Sequence, residues 1–363
     1  MKVSIGSKIV QGPWGGGNLF AINLSEYLIE KGHEVIYDLS DPDIDLILLT
    51  DPRSRSESSS TYNHIEISKY IKYINPNTVV VQRINECDER KNTKNINEFY
   101  LEASNVADHV IFVSEWLRGI YVNYGMSTEK TSVIYAGANL KIFNSSYLNQ
   151  FKSNEKVKIV THHWSSHVNK GFKIYKQIDK LLENDDWKEK IDFTYIGNTS
   201  DEYPLNNSKL IEPLAGEELA TEIKKHHIYV TGSLNEPSGN HHIEAAQCGL
   251  PVMYVDSGGI PEYCNQFGVS FNDKNFTEKL NYLIKNYSDY KLKLKSYPFN
   301  SEKMCNEFHE LFKKLIYNKT KEKINHSIGV RGFFYLKKNK LSNKFRFILN
   351  IRTNLISIIK SKI

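Results

Sequence analysis

What the chain lacks narrows its class first. Four cysteines (Cys87, Cys248, Cys264, Cys305) stand far apart in 363 residues, with no Cys-x-x-Cys pair. That spacing fits neither a disulfide scaffold nor a structural zinc site and suits free thiols in a reducing compartment. No uncharged apolar run approaches the roughly 20 residues of a membrane-spanning helix. The opening Met1-Lys2-Val3-Ser4-Ile5-Gly6 reads directly into a strand, without the apolar core of a signal peptide, so the expected location is cytoplasmic. No Asp-x-Asp pair stands at a strand end suited to a Mg²⁺–diphosphate, because Asp41-Pro42-Asp43 reads as a turn. His163 and His167 stand four apart, but they read as polar loop rather than helix and no Cys or acidic residue is close by, so no metal is expected.

Acidic residues are missing from one region only. Lys319–Ile363 carries 12 Lys/Arg against the single acid Glu322, leaving 35 basic and 41 acidic residues in the rest of the chain. A basicity confined to the tail argues against a general nucleic-acid binder. In that tail, Phe333-Phe334-Tyr335-Leu336-Lys337-Lys338 and Phe345-Arg346-Phe347-Ile348-Leu349 mix bulky apolar and basic residues. Two readings stand open: attachment to an anionic membrane surface through 319–363, or a helix packed back on the first domain.

What is present reads as α/β, with 40% hydrophobic and 25% charged residues and length for two domains of about 150 residues each. Strand Lys2–Ile5, a glycine-rich turn at Gln11–Gly17 and a helix over Asn18–Lys31 form an opening βα unit. Strands follow at His33–Tyr37, Ile44–Leu49, Thr78–Val81 and His109–Val113. Polar Tyr147–Lys156 reads as a linker. A second series then starts at Lys156–Val160, with a helix at Gly171–Leu182 and strands at Phe193–Ile196, Ile228–Val230 and Val252–Val255. The expected domains are 1–150, 151–318 and a basic tail 319–363. Each of the first two is a Rossmann-like unit, with ligands in the cleft between them at the strands' carboxyl ends.

The chemistry concentrates in Glu236-Pro237-Ser238-Gly239-Asn240-His241-His242-Ile243-Glu244-Ala245-Ala246-Gln247-Cys248-Gly249-Leu250-Pro251-Val252. A strand runs into a loop, and small residues Ser238, Gly239 and Asn240 open a helix whose free N–H groups make a seat for phosphate. Gly249 and Pro251 end that helix. Spacing alone leaves the two glutamates open: Glu236 and Glu244 could hold a ligand, or be a favourable charge near a helix start and a solvated face.

This segment closely resembles the E-x7-E region of the family-4, group 1 retaining glycosyltransferases of GT-B fold. Gly258-Gly259-Ile260-Pro261-Glu262 continues the likeness in order. The resemblance implies that Glu236 contacts the donor sugar, that Glu244 contacts the nucleotide ribose, and that backbone near Ser238–Asn240 holds sugar and diphosphate. Gly16 and Gly17, before a helix ending in Lys31-Gly32-His33-Glu34-Val35, resemble the family's N-terminal glycine turn. Phe112–Leu117 and Val133–Asn139 resemble late segments of its acceptor-side domain. Lys170-Gly171 matches the basic position that neutralises donor phosphate.

Two departures stand out. The family usually has an arginine before that lysine, whereas this chain has His162-His163-Trp164-Ser165-Ser166, so His163 and Ser165 are candidates to replace it. The family's frequent first-domain histidine is not evident; Arg83 and Asn85, in Gln82–Arg90, stand near its place. The expectation is a retaining, metal-independent transferase without a cofactor, using a UDP- or GDP-sugar and a glycan or lipid-linked acceptor. A nucleotide-sugar epimerase on the same architecture and a non-catalytic nucleotide-sugar binder remain as alternatives. A dinucleotide-dependent oxidoreductase is disfavoured by the register of Gly12, Gly15, Gly16 and Gly17, which is not Gly-x-Gly-x-x-Gly.

Overall fold

The computed structural model describes residues 1–10, 15–53, 60–149, 151–152, 155–322 and 324–341. Gln11–Trp14 of the expected glycine turn and Phe345–Leu349 of the tail lie outside them. Two six-stranded parallel sheets follow each other along the chain, each flanked by helices. The first holds β1 (Lys2–Ile5), β2 (Glu34–Ile36), β3 (Leu46–Leu49), β4 (Val79–Ile84), β5 (His109–Phe112) and β6 (Thr131–Val133), in the order β2-β1-β3-β4-β5-β6. The second holds β7 (Val157–His163), β8 (Ile191–Gly197), β9 (Lys209–Ile211), β10 (Ile228–Thr231), β11 (Val252–Val255) and β12 (Gly268–Phe271), in the order β12-β11-β10-β7-β8-β9.

Central strands such as Leu46-Ile47-Leu48-Leu49 are buried at every residue, because helices cover both faces of a parallel sheet. The strands that sequence reading missed are β6, β9 and β12, all at sheet edges. An edge strand has one neighbour and needs little apolar sequence, so Thr131-Ser132-Val133 and Lys209-Leu210-Ile211 carry no clear strand pattern. Strand β7 runs three residues past its expected end at Val160, pairing with β8 as far as His163 opposite Gly197.

The chain passes between domains earlier than the expected Tyr147–Lys156 linker. Ala136, Ala138, Phe143 and Leu148 already pack with Ile243 and Leu250 of the second domain. The chain also returns. Ser301 N donates to Ala138 O at 2.8 Å, so the return crossing lies against the outward one. Asn300 then caps the helix Ser301–Thr320, its side chain accepting from Lys303 N at 2.9 Å. Met304, Cys305, Phe308 and Phe312 of that helix join Val3, Phe20 and Leu24 in the core of the first domain. The segment 301–318, grouped by sequence with the second domain, therefore completes the first. All four cysteines are buried and free.

Phe308 is fully buried, its ring 5.1 Å from that of Phe20. Phe308→Ala is expected to cost about 3–5 kcal/mol by the cavity it leaves. Urea unfolding followed by far-UV circular dichroism should show the loss in the transition of the first domain.

Candidate active site

Strand β10 ends at Thr231, a loop carries Glu236, and the helix Asn240–Gln247 begins immediately after Gly239. Gly239 has φ +75°, and a side chain there would strike the rings of His241 and His242 and the Cγ of Glu236. A second loop lies flush against the first. Cβ atoms added at Gly258 and Gly259 would fall 2.5 Å from Glu236 O and 2.2 Å from Pro237 O, and Gly259 N donates to Glu236 O at 2.9 Å. The two glycines thus permit a backbone approach that fixes the Glu236 loop.

The Glu236 carboxylate is buried between two cations from different domains. Lys170 Nζ donates to its Oε2, and Arg90 Nε lies 3.2 Å from its Oε1. Arg90 belongs to the short helix Asp88–Lys91 of the first domain and also donates from Nη1 to Glu86 Oε2 at 3.0 Å. Arg53 Nη2 extends the chain of charges, 3.6 Å from Glu86 and 2.8 Å from Asp51. Burial alone would raise the pKa of Glu236, but Arg90 and then Lys170 outweigh it and hold the group far below the usual carboxylate range. Burial lowers the pKa of Lys170, and the nearby Glu236 only partly offsets it. Glu236 is therefore an ionised, acceptor-only group at neutral pH.

Backbone contacts close the same seam. Asn169 Nδ2 donates to Arg90 O at 3.0 Å and Asn235 Nδ2 to Glu89 O at 3.2 Å. Glu262 accepts from the first two amides of the first-domain helix Glu115–Asn123, at 2.8 Å each, and from Tyr135 Oη at 3.0 Å. Tyr263 Oη donates to Val113 O at 2.5 Å and accepts from Ala136 N at 3.0 Å. The glutamate of Gly-Gly-x-Pro-Glu is thus a cap that reaches across the cleft.

The other expected residues divide into two groups. Gly16, Asn240, Ser238 and Gly239 meet at the cleft: a Cβ on Gly16 would lie 3.0 Å from Asn240 Nδ2, so the starts of helices Gly16–Glu30 and Asn240–Gln247 face each other. Gly17 is exposed beside Gly16. Glu244 is buried one turn into its helix, with Oε2 3.0 Å from His162 Nε2. His163 is turned into the domain interior instead, its Nε2 2.6 Å from Tyr175 Oη and its ring stacked on that tyrosine. Ser165 Oγ accepts from His167 N at 3.2 Å within its own turn. The second cation beside Lys170 is Arg90, from the opposite domain. Its only signal in the sequence was the i, i+4 pairing with Glu86. Arg83 is buried at the end of β4, and Asn85 is half-buried just beyond it.

Removing the Glu236 charge leaves Lys170 buried without its counter-ion, so Glu236→Gln should cost about 3 kcal/mol of stability. A carboxylate with a depressed pKa stabilises the fold above its unfolded pKa and loses that effect only as the pH falls towards the folded value. The gap in melting temperature between wild type and variant should thus stay constant from pH 5 to 8. A gap that closes within that range in thermal melts would contradict the ion pairing.

Residues 172–300 match the model of a family described as glycosyl transferases group 1. No curated protein matches the chain significantly. Among solved structures the chain is similar to Anabaena HepE in complex with UDP and glucose, at 15% identity over 86% of this chain and 100% of that one, with a TM-score of 0.62. It is similar to a glycosyltransferase from Rickettsia africae, at 13% identity over 87% and 99% of the two chains, with a TM-score of 0.62. Sucrose-phosphate synthase from Thermosynechococcus elongatus gives 15% identity over 87% and 99%, with a TM-score of 0.60. These likenesses establish the two-sheet GT-B fold, and within it residues 172–300 of the second domain carry the similarity to the glycosyl transferases group 1 model.

Proposed function

We propose that this enzyme moves a sugar from a nucleotide-diphosphate sugar to a hydroxyl of a glycan or lipid-linked acceptor, with retention at the anomeric carbon and without a metal ion. The observation that carries the reading is the ionised Glu236, fixed by Lys170 and Arg90 beside two helix starts that face each other at Gly16 and Asn240. Breaking the bond from the anomeric carbon to phosphate builds negative charge on the diphosphate and positive charge on the sugar. The helix starts and Lys170 answer the first. Glu236 accepts hydrogen bonds from sugar hydroxyls and holds the ring in place, while Glu244, steadied by His162, reaches the ribose. The electron pair of the broken bond stays on the leaving phosphate. The acceptor oxygen bonds to the anomeric carbon on the same face, and its proton passes to a phosphate oxygen. The UDP and glucose bound in HepE support a UDP-sugar as the first donor to test.

We further propose that 319–363 holds the enzyme on an anionic membrane surface. The helix over 330–341 packs one side on the first domain, with Tyr335 Oη donating to Glu66 O at 3.0 Å and Asn339 Nδ2 to Leu39 O at 3.3 Å. Its other side leaves Val330, Phe333, Phe334 and Leu341 between 58% and 74% exposed, flanked by exposed Arg331, Lys337, Lys338 and Lys340. An apolar stripe edged by lysines, in a tail with no acid after Glu322, fits the interface of an anionic bilayer. Among the described residues no helix is long and apolar enough to cross a membrane.

Nucleotide release should be assayed with UDP-, GDP- and ADP-sugars, with and without a mixed acceptor pool. One donor should give acceptor-stimulated release that EDTA does not diminish and that Glu236→Gln lowers at least 100-fold. Consumption of the donor without nucleotide release would favour the epimerase, and full activity of Glu236→Gln would remove the assigned role.

For the membrane, the full chain should sediment with phosphatidylglycerol vesicles and much less with phosphatidylcholine. Phe333→Ser/Phe334→Ser should weaken that binding several-fold. Equal binding to both lipids, or to neither, would end the idea.

A further inference from the structure

Arg83 stands at the carboxyl end of β4, where the first sheet opens towards the second domain. Its guanidinium carbon lies 4.0 Å from the ring centroid of Phe20, in the second turn of helix Gly16–Glu30. The residue is 5% exposed. Arg53 and Arg90 are each paired with carboxylates, yet among the described residues no carboxylate or carbonyl accepts a hydrogen bond from Arg83. Burial without a counter-charge pushes its pKa down to about 10, against smaller opposing effects of Tyr263 and Tyr100, so it stays cationic at neutral pH. An arginine that is 5% exposed, with no acceptor among the described residues, has most of its surface out of water and is ready to take an acceptor brought by a ligand.

A second unanswered group lies across the cleft. His242 is fully buried in the first turn of helix Asn240–Gln247, and neither of its ring nitrogens has a partner. Its ring lies 5.7 Å from that of Tyr263. His242 thus offers an unpaired imidazole beside Tyr263, on the helix whose first residue, Asn240, faces Gly16 of the first domain.

On the transfer reading above, we propose that Arg83 docks an anionic oxygen group, a phosphate or carboxylate, carried by the acceptor. The donor's charges fall to Lys170 and the start of helix Asn240–Gln247, both in or beside the matched second domain. Arg83 belongs to the opposite domain and reaches the cleft from its own strand end. The Phe20 ring holds the guanidinium from one side, and its N–H groups remain available for a bidentate contact with such a group. Acidic sugars or phosphorylated glycans are therefore preferred over neutral ones.

The test uses the full chain, Arg83→Met and Arg83→Lys, with UDP, GDP and ADP and with glucose, glucuronate and glucose 6-phosphate as probes. Arg83→Met should melt at or above wild type, because it removes an unpaired buried charge; a fall of several degrees would mean a structural role and overturn the assignment. Its affinity for nucleotide should stay within about twofold, since a tenfold loss would assign Arg83 to the donor instead. With nucleotide saturating, wild type should bind glucuronate or glucose 6-phosphate at least tenfold more tightly than glucose. Arg83→Met should abolish that preference and Arg83→Lys should keep part of it. Equal binding of the three sugars by wild type would overturn the proposal. Failure of wild type to bind any nucleotide would strike the transfer reading itself, and this assignment with it.

Discussion

One buried carboxylate organises the cleft. Glu236 lies between Lys170 of its own domain and Arg90 of the other, and Arg90 is tied onward through Glu86 to Arg53 and Asp51. Such a chain adds little net stability, because each ion gives up hydration to enter it. What it supplies is position: the carboxylate cannot rotate or take a proton at neutral pH, and its place depends on both domains at once. The close approach of Gly258 and Gly259 to the Glu236 loop and the cross-cleft cap of Glu262 serve the same end.

The path of the chain makes that arrangement possible. The outward crossing at Ala136–Ala138 and the return at Asn300–Ser301 are hydrogen-bonded side by side. Helix Ser301–Thr320 then packs into the first core through Phe308 and Phe312.

Much of this was legible in the residues. The nine strands read from apolar runs are present, Val252–Val255 with the bounds expected of it, and Glu236, Gly239 and Asn240 stand at a helix start as the loop chemistry required. Edge strands such as Lys209–Ile211 escaped because one-sided pairing imposes little pattern. His163 looked like loop because two histidines are polar, yet the register with β8 draws it into the interior, where Tyr175 satisfies it. Arg90 escaped for a different reason. Its partner Glu236 is 146 residues away, and no local spacing reports a contact made only when two domains meet. The return of helix Ser301–Thr320 is long-range in the same sense: its amphipathic pattern announces a buried face but not which core buries it.

The central claim is that Glu236 acts through a charge contact made across the two domains. A double-mutant cycle on Arg90→Met and Glu236→Gln, read in kcat/KM for the best donor, tests it most directly. Strong coupling is expected, with the double variant about as slow as Glu236→Gln alone and an interaction energy above about 1 kcal/mol. Losses that simply add would show that the two residues act independently, and would contradict a carboxylate set in place by both domains.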